Sequence, residues 1–377
     1  EYPAVENGLP YDIVVETIKT EEPVLTPPTW EEKKEKVTTL HPTIPDSEKH
    51  NFRITDDNLG VGGPKEKFRN NMAAINLLHE LEFENRLATP EEQEILSKYV
   101  GFGGLADAFD ESKANWADEY KELIVTLSPE EYAAARESTL TAFYTPPVVI
   151  RAMYEALGNM GFSEGNILEP SCGTGNFIGM LPDNMQKSKF FGVELDSLTG
   201  RIAQQLYQKS GITVQGYENA SLPDSFFDVA IGNVPFGQFK VIDKKYDKNN
   251  WLIHDYFFGK TLDKVRPGGV IAFITSSGTM DKRNSNVRKY IAQRAELLGA
   301  IRLPNNTFKA NAGTEVTSDI LFLQKRDTLV NDEPDWVHLD RDENGNEYNK
   351  YFVDHPEMVL GEMVMESSQF GHSLTCK

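Results

Sequence analysis

The chain of 377 residues is 39% apolar, enough to bury a substantial core, and it carries a formal net charge of −20 at pH 7. Because it has no membrane-length apolar run, no signal-peptide pattern at its start and only two cysteines, Cys172 and Cys376, we expect a cytoplasmic protein without membrane contact, metal or disulfides. Residues 1–50 carry −6 and residues 327–377 carry −9, which leaves −5 for residues 51–326. Composition therefore neither supports nor excludes a nucleic-acid partner.

The first part of the chain is predicted to be an arm followed by helices. Residues 1–55 are rich in Pro, Glu, Lys and Thr with little periodicity, so we expect an extended or disordered arm, or one that orders on a partner. Apolar residues then recur at helical spacing at Phe68, Met72, Ile75, Leu78 and Leu81. Capping boxes at Thr89–Glu92 and Ser128–Glu131 indicate two further helix starts. We predict a helical subdomain over 56–142.

Residues 143–327 alternate between apolar runs typical of strands and segments with helical periodicity. The predicted strands cover 166–169, 190–195, 212–215, 227–231, 270–275, 297–302 and 319–324. The predicted helices cover 147–158, 174–182, 197–210, 254–266 and 281–295. This alternation predicts a doubly wound α/β sheet whose ligand crevice lies at the carboxyl ends of the strands. The acidic residues 328–377 are predicted to form a C-terminal extension with a hairpin turn at 342–346.

A glycine loop follows the first predicted strand of this region. Gly173 and Gly175 lie where a strand turns into a helix, so the backbone can approach a ligand closely, and Glu169 is placed for a cationic or hydroxylated group. A dinucleotide-binding fingerprint needs a third small residue where this chain has Ile178, so an adenosyl ligand without a pyrophosphate fits better. At the end of the second strand, Glu194 either accepts both ribose hydroxyls or is simply an acid at a strand-to-helix junction.

Four segments occur in an informative order, namely Phe143–Pro147, Glu169–Gly175, Gly192–Glu194 and Asn233–Phe236. Together they resemble the motifs of S-adenosylmethionine-dependent N6-adenine DNA methyltransferases of the type I and type IIG restriction-modification kind. Further segments are similar to the methylase region of the large methylase–helicase proteins of conjugative elements and phages, namely 58–63, 99–104 and 355–361. The resemblance extends over about 55–370.

This resemblance carries expectations about fold, cofactor and partners. It implies a seven-stranded Rossmann-like methyltransferase sheet with an antiparallel last strand, S-adenosylmethionine as cofactor, and adenine-containing DNA as substrate. It also implies further, helicase-like domains in a longer polypeptide. The lack of a starting methionine and of an obvious base-reading domain agrees with a fragment of such a polypeptide.

The resemblance also assigns residues around the cofactor. Phe143 and Thr145 are expected at its methionine end, above the backbone of the two loop glycines. Glu218 is expected near its adenine, and Asn219 competes for that role. Both residues also fit an ordinary turn after the third strand.

The segment from Asn233 to Phe236 is expected to grip the target base. The side-chain oxygen of Asn233 and the backbone carbonyl of Val234 can accept the two N–H bonds of an adenine amino group and aim its lone pair at the methyl carbon. Phe236 is expected to stack on a base that has left the duplex, although a core aromatic is the alternative. Val234 replaces the proline of the family pattern, which costs preorganisation but no chemical group, and Pro235 retains part of the restraint.

Other residues and other functions remain open at this stage. His254 is expected either to contact DNA or to serve only in packing, and basic pairs at 282–283, 288–289 and 325–326 either contact phosphates or are simply solvated. One alternative function is a non-catalytic cofactor-binding or protein-interaction scaffold within a larger DNA-processing protein. Another keeps the chemistry but changes the acceptor to cytosine N4, RNA or a protein glutamine.

Overall fold

A seven-stranded mixed sheet forms the centre of the fold. The computed structural model describes residues 39–58, 60–139, 144–308, 315–368 and 371–377, with side chains for all of these except 367, 368, 371 and 372. The strands are β1 (Asn166–Glu169), β2 (Lys189–Glu194), β3 (Gly211–Val214), β4 (Phe227–Asn233), β5 (Val265–Ser276), β6 (Ala295–Leu303) and β7 (Ser318–Lys325). Their order is β3-β2-β1-β4-β5-β7-β6, and β7 is antiparallel to both of its neighbours. The predicted sheet with an antiparallel last strand is confirmed.

Helices cover both faces of this sheet. They are α1 (Pro64–Phe83), α2 (Pro90–Leu96), α3 (Ala117–Thr126), α4 (Pro129–Ser138), α5 (Pro147–Asn159), α6 (Asn176–Gly179), α7 (Ser197–Leu206), α8 (Ile253–Lys264), α9 (Gly278–Asp281), α10 (Asn286–Arg294) and α11 (Lys350–Asp354). Successive residues of a strand point to opposite faces, so Ile167 of β1 joins the core beneath α1, α2, α5 and α7, while Leu168 joins the core beneath α8 and α10. None of the described helices is long and apolar enough to span a bilayer.

Two predicted helices differ from those observed. The helix predicted over 281–295 is interrupted between α9 and α10, because the side chain of Asn284 accepts a hydrogen bond from the backbone N–H of Asn286 and starts a new helix there. The helix predicted over 174–182 ends at Gly179. Its carbonyl oxygen accepts a hydrogen bond of 3.0 Å from the backbone N–H of Ile54. Local periodicity could not reveal the contact with Ile54, which is distant in sequence.

The end of the predicted arm lies against the sheet-bearing part of the chain. Residues 1–38 lie outside the described residues. The backbone N–H of Phe52 donates to the carbonyl of Leu206 at 2.8 Å, and the Phe52 ring is buried. Residues near 52 therefore contribute to the core rather than waiting for a partner.

The N-terminal helices are joined to α7 by a buried amide network. The side chain of Gln93 in α2 is fully buried and donates to the carbonyl oxygens of Gln205 and Leu206 at 2.8 and 3.1 Å. Both predicted capping boxes are present, at Thr89 and Ser128. The apolar residues of α1 to α4 belong to the same continuous core as one face of the sheet. The boundaries at 55/56 and 142/143 stay predictions.

The C-terminal region adds two hairpins. One pairs β8 (Leu339–Arg341) with β9 (Glu347–Asn349) around the turn at 342–346, and the other pairs β10 (Met363–Ser368) with β11 (Gly371–Cys376). Arg302 of β6 is fully buried and forms two hydrogen bonds, of 2.8 and 2.9 Å, with the Asp319 carboxylate. Its carbonyl accepts from the N–H of Leu360 at 2.9 Å, which fixes the extension to the sheet edge.

Candidate active site

A cavity of about 690 Å³ opens at the carboxyl ends of the central strands. Glu169, Glu194 and Asn233 are the last residues of β1, β2 and β4, and β1 pairs with both of the other strands. Since parallel strands present their carboxyl ends at one sheet edge, the three polar side chains meet in this cavity. A crevice at this position, of this size, is where doubly wound sheets bind ligands.

Most of the site residues predicted from the sequence line this cavity. They are Thr145, Glu169, Gly173, Glu194, Glu218, Asn219, Asn233, Val234, Pro235 and Phe236. Phe143 lies outside the described residues. Gly175 is not among the lining residues. The structure therefore brings together residues that are far apart along the sequence.

The two loop glycines have different surroundings. Gly173 has φ +55° and a Cβ there would meet no other atom within 4 Å, so the loop leaves open space beside it. Gly175 has φ +82° and a Cβ there would lie 2.4 Å from the Tyr207 ring. Both positions favour glycine because of their left-handed backbone. Close packing against Tyr207, rather than approach to a ligand, accounts for the second glycine.

The Glu194 carboxylate is held by backbone donors. Its two oxygens accept from the N–H groups of Gly173 at 2.7 Å and Asp196 at 2.8 Å. Burial outweighs these hydrogen bonds and raises the pKa of the Glu194 carboxyl to about 7. The N–H of Gly173 is consequently directed at Glu194 rather than at the cavity.

The Glu169 carboxylate is buried without full compensation. The residue is 2% exposed, and its Oε2 atom has no hydrogen-bond partner. Burial, and secondarily the negative charge of Glu194, raises the pKa of Glu169 well above its usual value. A buried acceptor without a partner at the wall of a cavity is suited to a ligand that brings a donor or a positive charge.

The segment after β4 presents polar and apolar groups to the cavity. The backbone carbonyl of Asn233 accepts from the Ser171 hydroxyl at 3.0 Å, while its side-chain amide has no hydrogen-bond partner among the described residues. Val234 is 2% exposed, and its N–H donates to the carbonyl of Ile274 in β5 at 3.0 Å. Phe236 is half-buried and packs against the cores on both faces of the sheet.

The cavity near Glu218 is formed by a helical turn. Tyr217–Asn219 is a short 3-10 helix after β3, and the Asn219 amide donates to the Glu218 carboxylate at 2.9 Å. Both side chains line the cavity, so the geometry leaves the choice between them open. Among the residues for which the structure gives positions, no cluster of His, Cys, Asp and Glu could hold a metal ion.

Three of the remaining candidates, His254, Arg288 and Lys325, pack or form hydrogen bonds within the protein. His254 is 2% exposed, its ring nitrogens have no hydrogen-bond partner, and it is not among the cavity residues. Arg288 is 1% exposed and donates to the backbone carbonyls of Val337 and Lys282, each at 2.7 Å. Lys325 donates to a backbone carbonyl in the same way. A phosphate role for Arg288 and a site role for His254 are therefore wrong, because both side chains are buried elsewhere.

Sequence reasoning missed several residues of the cavity wall. These include Tyr144, Ser171, Phe239, Lys240, Ile242, Phe257 and Phe308. Ser171 lies inside the glycine loop, two residues after Glu169, and its hydroxyl is the one local signal that points to it. The others lie in loops and on α8 without periodicity that points at a ligand.

Comparison with known proteins identifies the family. The sequence model of the N-6 DNA Methylase family matches residues 126–350. The chain is 30% identical over 282 residues to the defense against restriction protein B of Escherichia phage P1, covering 73% of this chain and 11% of that protein. It is 26% identical over 211 residues to the type I restriction enzyme EcoEI methylase subunit of Escherichia coli, covering 48% of this chain and 42% of that one.

A solved structure of the type I restriction enzyme EcoKI M protein aligns with a TM-score of 0.38 and 15% identity, covering 71% of this chain and 64% of that one. The chain spans about a tenth of the length of the phage relative and less than half of the EcoEI subunit. The family model covers more than half of this chain, including the cavity strands β1, β2 and β4. The chain belongs to the N-6 DNA methylase family.

Proposed function

We propose that this chain transfers the methyl group of S-adenosylmethionine to the N6 amino group of adenine in DNA, in the cytoplasm. One observation carries the proposal. The amide of Asn233, the ring of Phe236 and the carboxylates of Glu169 and Glu194 line a single cavity in a chain of the N-6 DNA methylase family. A hydrogen-bonding amide beside an aromatic ring suits a planar base with an amino group.

The cavity residues fit the cofactor. The unpartnered Oε2 of Glu169 can accept from the ammonium group of the methionine part, which would compensate the buried negative charge. Thr145 lines the cavity and is expected at the same end of the cofactor, as is Phe143, and the space beside Gly173 is open. When bound, S-adenosylmethionine would supply an electrophilic methyl carbon carried on a cationic sulfur.

Glu194 is expected to bind the ribose. Its oxygens already accept one backbone hydrogen bond each, and each retains capacity for a hydroxyl donor. The two backbone bonds fix the orientation of the carboxylate before the cofactor arrives, so less conformational entropy is lost on binding. Glu218 or Asn219 is then expected near the adenine ring. Gly175 packs against Tyr207 on the other side of the loop.

Asn233 and Val234 are expected to orient the amino group. The Asn233 amide has no protein partner among the described residues, so its oxygen can accept one N–H of adenine. The carbonyl of Val234 accepts the other, and Phe236 stacks on the ring. Accepting both N–H bonds draws the nitrogen toward tetrahedral geometry and directs its lone pair along the line of attack. No nucleophilic side chain is required.

Val234 needs no proline to hold its carbonyl in place. The hydrogen bond from its N–H to Ile274 and the burial of its side chain restrain the backbone, and proline could not make that bond.

We also propose that this methylase works beside helicase-like and base-reading domains of a longer polypeptide. The phage P1 relative, of which the alignment covers 11%, has room for such domains.

The decisive experiment offers labelled S-adenosylmethionine with DNA, RNA and a protein substrate in parallel, followed by mass spectrometry of the digested nucleosides. We expect label in N6-methyladenine from DNA alone. Label in N4-methylcytosine, RNA or protein would show that the acceptor is a different group from the adenine amino group proposed here. Cofactor binding without transfer to any acceptor would instead support a non-catalytic scaffold.

A further inference from the structure

The loop that follows the target-base segment has an unusual surface. Residues 237–250 connect Phe236 with α8, and Phe239, Lys240 and Ile242 line the mouth of the cavity. The Phe239 side chain is 52% exposed and Ile242 is 84% exposed. Large apolar side chains that face solvent together, at the rim of a cavity, are typical of a contact surface.

Hydrogen bonds from the middle of the loop attach it to α8. Asp243 accepts hydrogen bonds from the Tyr256 hydroxyl at 2.8 Å and the Lys260 ammonium at 3.1 Å, both on α8. Tyr246 is buried and its hydroxyl donates to Asp263 at 2.6 Å. The hydrogen bonds of Asp243 and Tyr246 therefore fix the position of Phe239 and Ile242 beside the cavity.

The same loop is basic on an acidic protein. It contains four lysines and two aspartates, a net +2, in a chain whose net charge is −20. Asp243 is bound to α8, and the Asp247 carboxylate accepts from the loop backbone at 2.9 Å. Lys244 and Lys248 are exposed and form no hydrogen bond or ion pair with any described residue. The loop thus directs uncompensated positive charge to solvent beside the cavity.

We propose that loop 237–250 is the surface that holds DNA around the target adenine, an inference that rests on the proposed function for its occupant. Lys240, Lys244 and Lys248 contact backbone phosphates, while Phe239 and Ile242 contact the bases left unstacked when the adenine enters the cavity. Apolar side chains of these types are the ones that proteins insert between base steps. The positive charge of the loop favours a polyanion such as DNA over a neutral or basic protein surface.

The test measures duplex binding by fluorescence anisotropy across a range of salt concentrations. A duplex of mixed sequence suffices, because phosphate contacts are independent of sequence. The variants are the pair Lys244→Gln and Lys248→Gln, and separately Phe239→Ala. The matched control is the pair Lys187→Gln and Lys209→Gln.

The control lysines are also exposed and unpaired among the described residues, but they precede β2 and β3 and so lie at the opposite edge of the sheet. Calorimetry with S-adenosylmethionine accompanies each variant, and the cofactor affinity of the two lysine pairs is expected to stay the same. This measurement shows that the cavity is folded in every protein compared.

Loss of two phosphate contacts lowers the slope of log K against log salt by about 1.8, since each contact contributes about 0.9. The control pair leaves the slope unchanged. Phe239→Ala lowers affinity by about tenfold, the contribution of one stacked base, without changing the slope. Unchanged DNA affinity in all variants, or no DNA binding by the wild-type chain at low salt, overturns the inference. Because binding is measured apart from methyl transfer, an inactive chain with the expected slopes would contradict only the proposed function.

Discussion

The carboxylate of Glu194 accepts a hydrogen bond of 2.7 Å from the backbone N–H of Gly173, and this bond ties the end of β2 to the loop that follows β1. Two of the segments that we propose bind the cofactor therefore depend on each other. The donor that fixes Glu194 belongs to the loop, and the loop keeps its shape while Glu194 is an acceptor. The protonation state of one carboxyl then affects the whole cofactor side of the cavity.

Cofactor affinity is expected to depend on pH through Glu194. Because burial raises its pKa to about 7, and because hydroxyl donors favour the ionised form, affinity should fall as pH drops below about 7 and level off above it. Calorimetry with S-adenosylmethionine between pH 5.5 and 8 measures this. Glu194→Gln should bind weakly and with a flatter profile. The pKa of the neighbouring Glu169 is shifted in the same direction, so Glu169→Gln is measured as well, and both variants are compared with the exposed control Glu164→Gln.

Glu169→Gln is expected to stabilise the protein without its cofactor at pH 8. The pKa of Glu169 is raised in the folded state, so its contribution to stability is greatest below its unfolded-state pKa and is lost as pH rises through the folded-state pKa. Removing the buried charge should raise the free energy of unfolding at pH 8 by about 1–3 kcal/mol and change it little at pH 4.5. Urea unfolding at both pH values measures the difference. A variant that is less stable at pH 8 would argue that Glu169 has a partner in the free protein.

Val234→Pro is expected to harm rather than restore the site. Proline removes the N–H that donates to the buried carbonyl of Ile274, at a cost of about 1–3 kcal/mol of stability. Val234→Ala keeps that bond and the acceptor carbonyl, and should cost about 1–2 kcal/mol through lost burial while methyl transfer by the folded protein continues. Urea unfolding and turnover are measured together. A Val234→Pro protein that is both more stable and faster would contradict this account.

Asn233→Ala is expected to lower kcat by about 10²–10³-fold while leaving cofactor affinity unchanged, because we propose that the side chain binds the amino group of adenine and not the cofactor. The measurement combines methyl transfer to DNA with calorimetry. Asn159→Ala, an exposed position at the end of α5, is the matched control. Equal losses of turnover and of cofactor binding would mean that Asn233 supports the fold of the cavity instead.

Asp319→Asn is expected to destabilise the protein by about 3–5 kcal/mol, because Arg302 would remain buried with a weaker counter-charge. Urea unfolding measures this loss. Asp183→Asn, at an exposed ion pair with Arg53, should change stability little. Similar effects of the two variants would show that the buried pair contributes no more than a surface one.

The sheet and the position of its site could be predicted because each buried strand appears in the sequence as a short apolar run. Apolar runs end at Glu169, Glu194 and Asn233, and topology alone then places three strand ends together. The division of labour between Gly173 and Gly175 could not be predicted. It depends on Tyr207, which lies more than thirty residues away in sequence and packs against only one of them.

The restraint on Val234 and the surface of loop 237–250 could not be predicted from the sequence for a similar reason. The partner of the Val234 N–H is on β5, and no local pattern indicates a hydrogen bond between strands. In the loop, Lys244 and Lys248 look like ordinary solvated charges until the partners of Asp243 are known. Local chemistry predicts which residues are present, whereas compensation between them is a property of the fold.

The amide of Gln93, which joins α2 to the end of α7, limits how far the chain can be shortened from its N-terminal side. Helix α7 begins three residues after Glu194, so the helix whose end is bonded to Gln93 follows directly on the acid that we propose binds the ribose. A chain trimmed to start at the first cofactor motif, near residue 143, would lose that bond and one wall of its core. We therefore expect a chain that keeps Glu194 in place to need the helices that precede the motifs and the segment near Phe52 as well as the glycine loop.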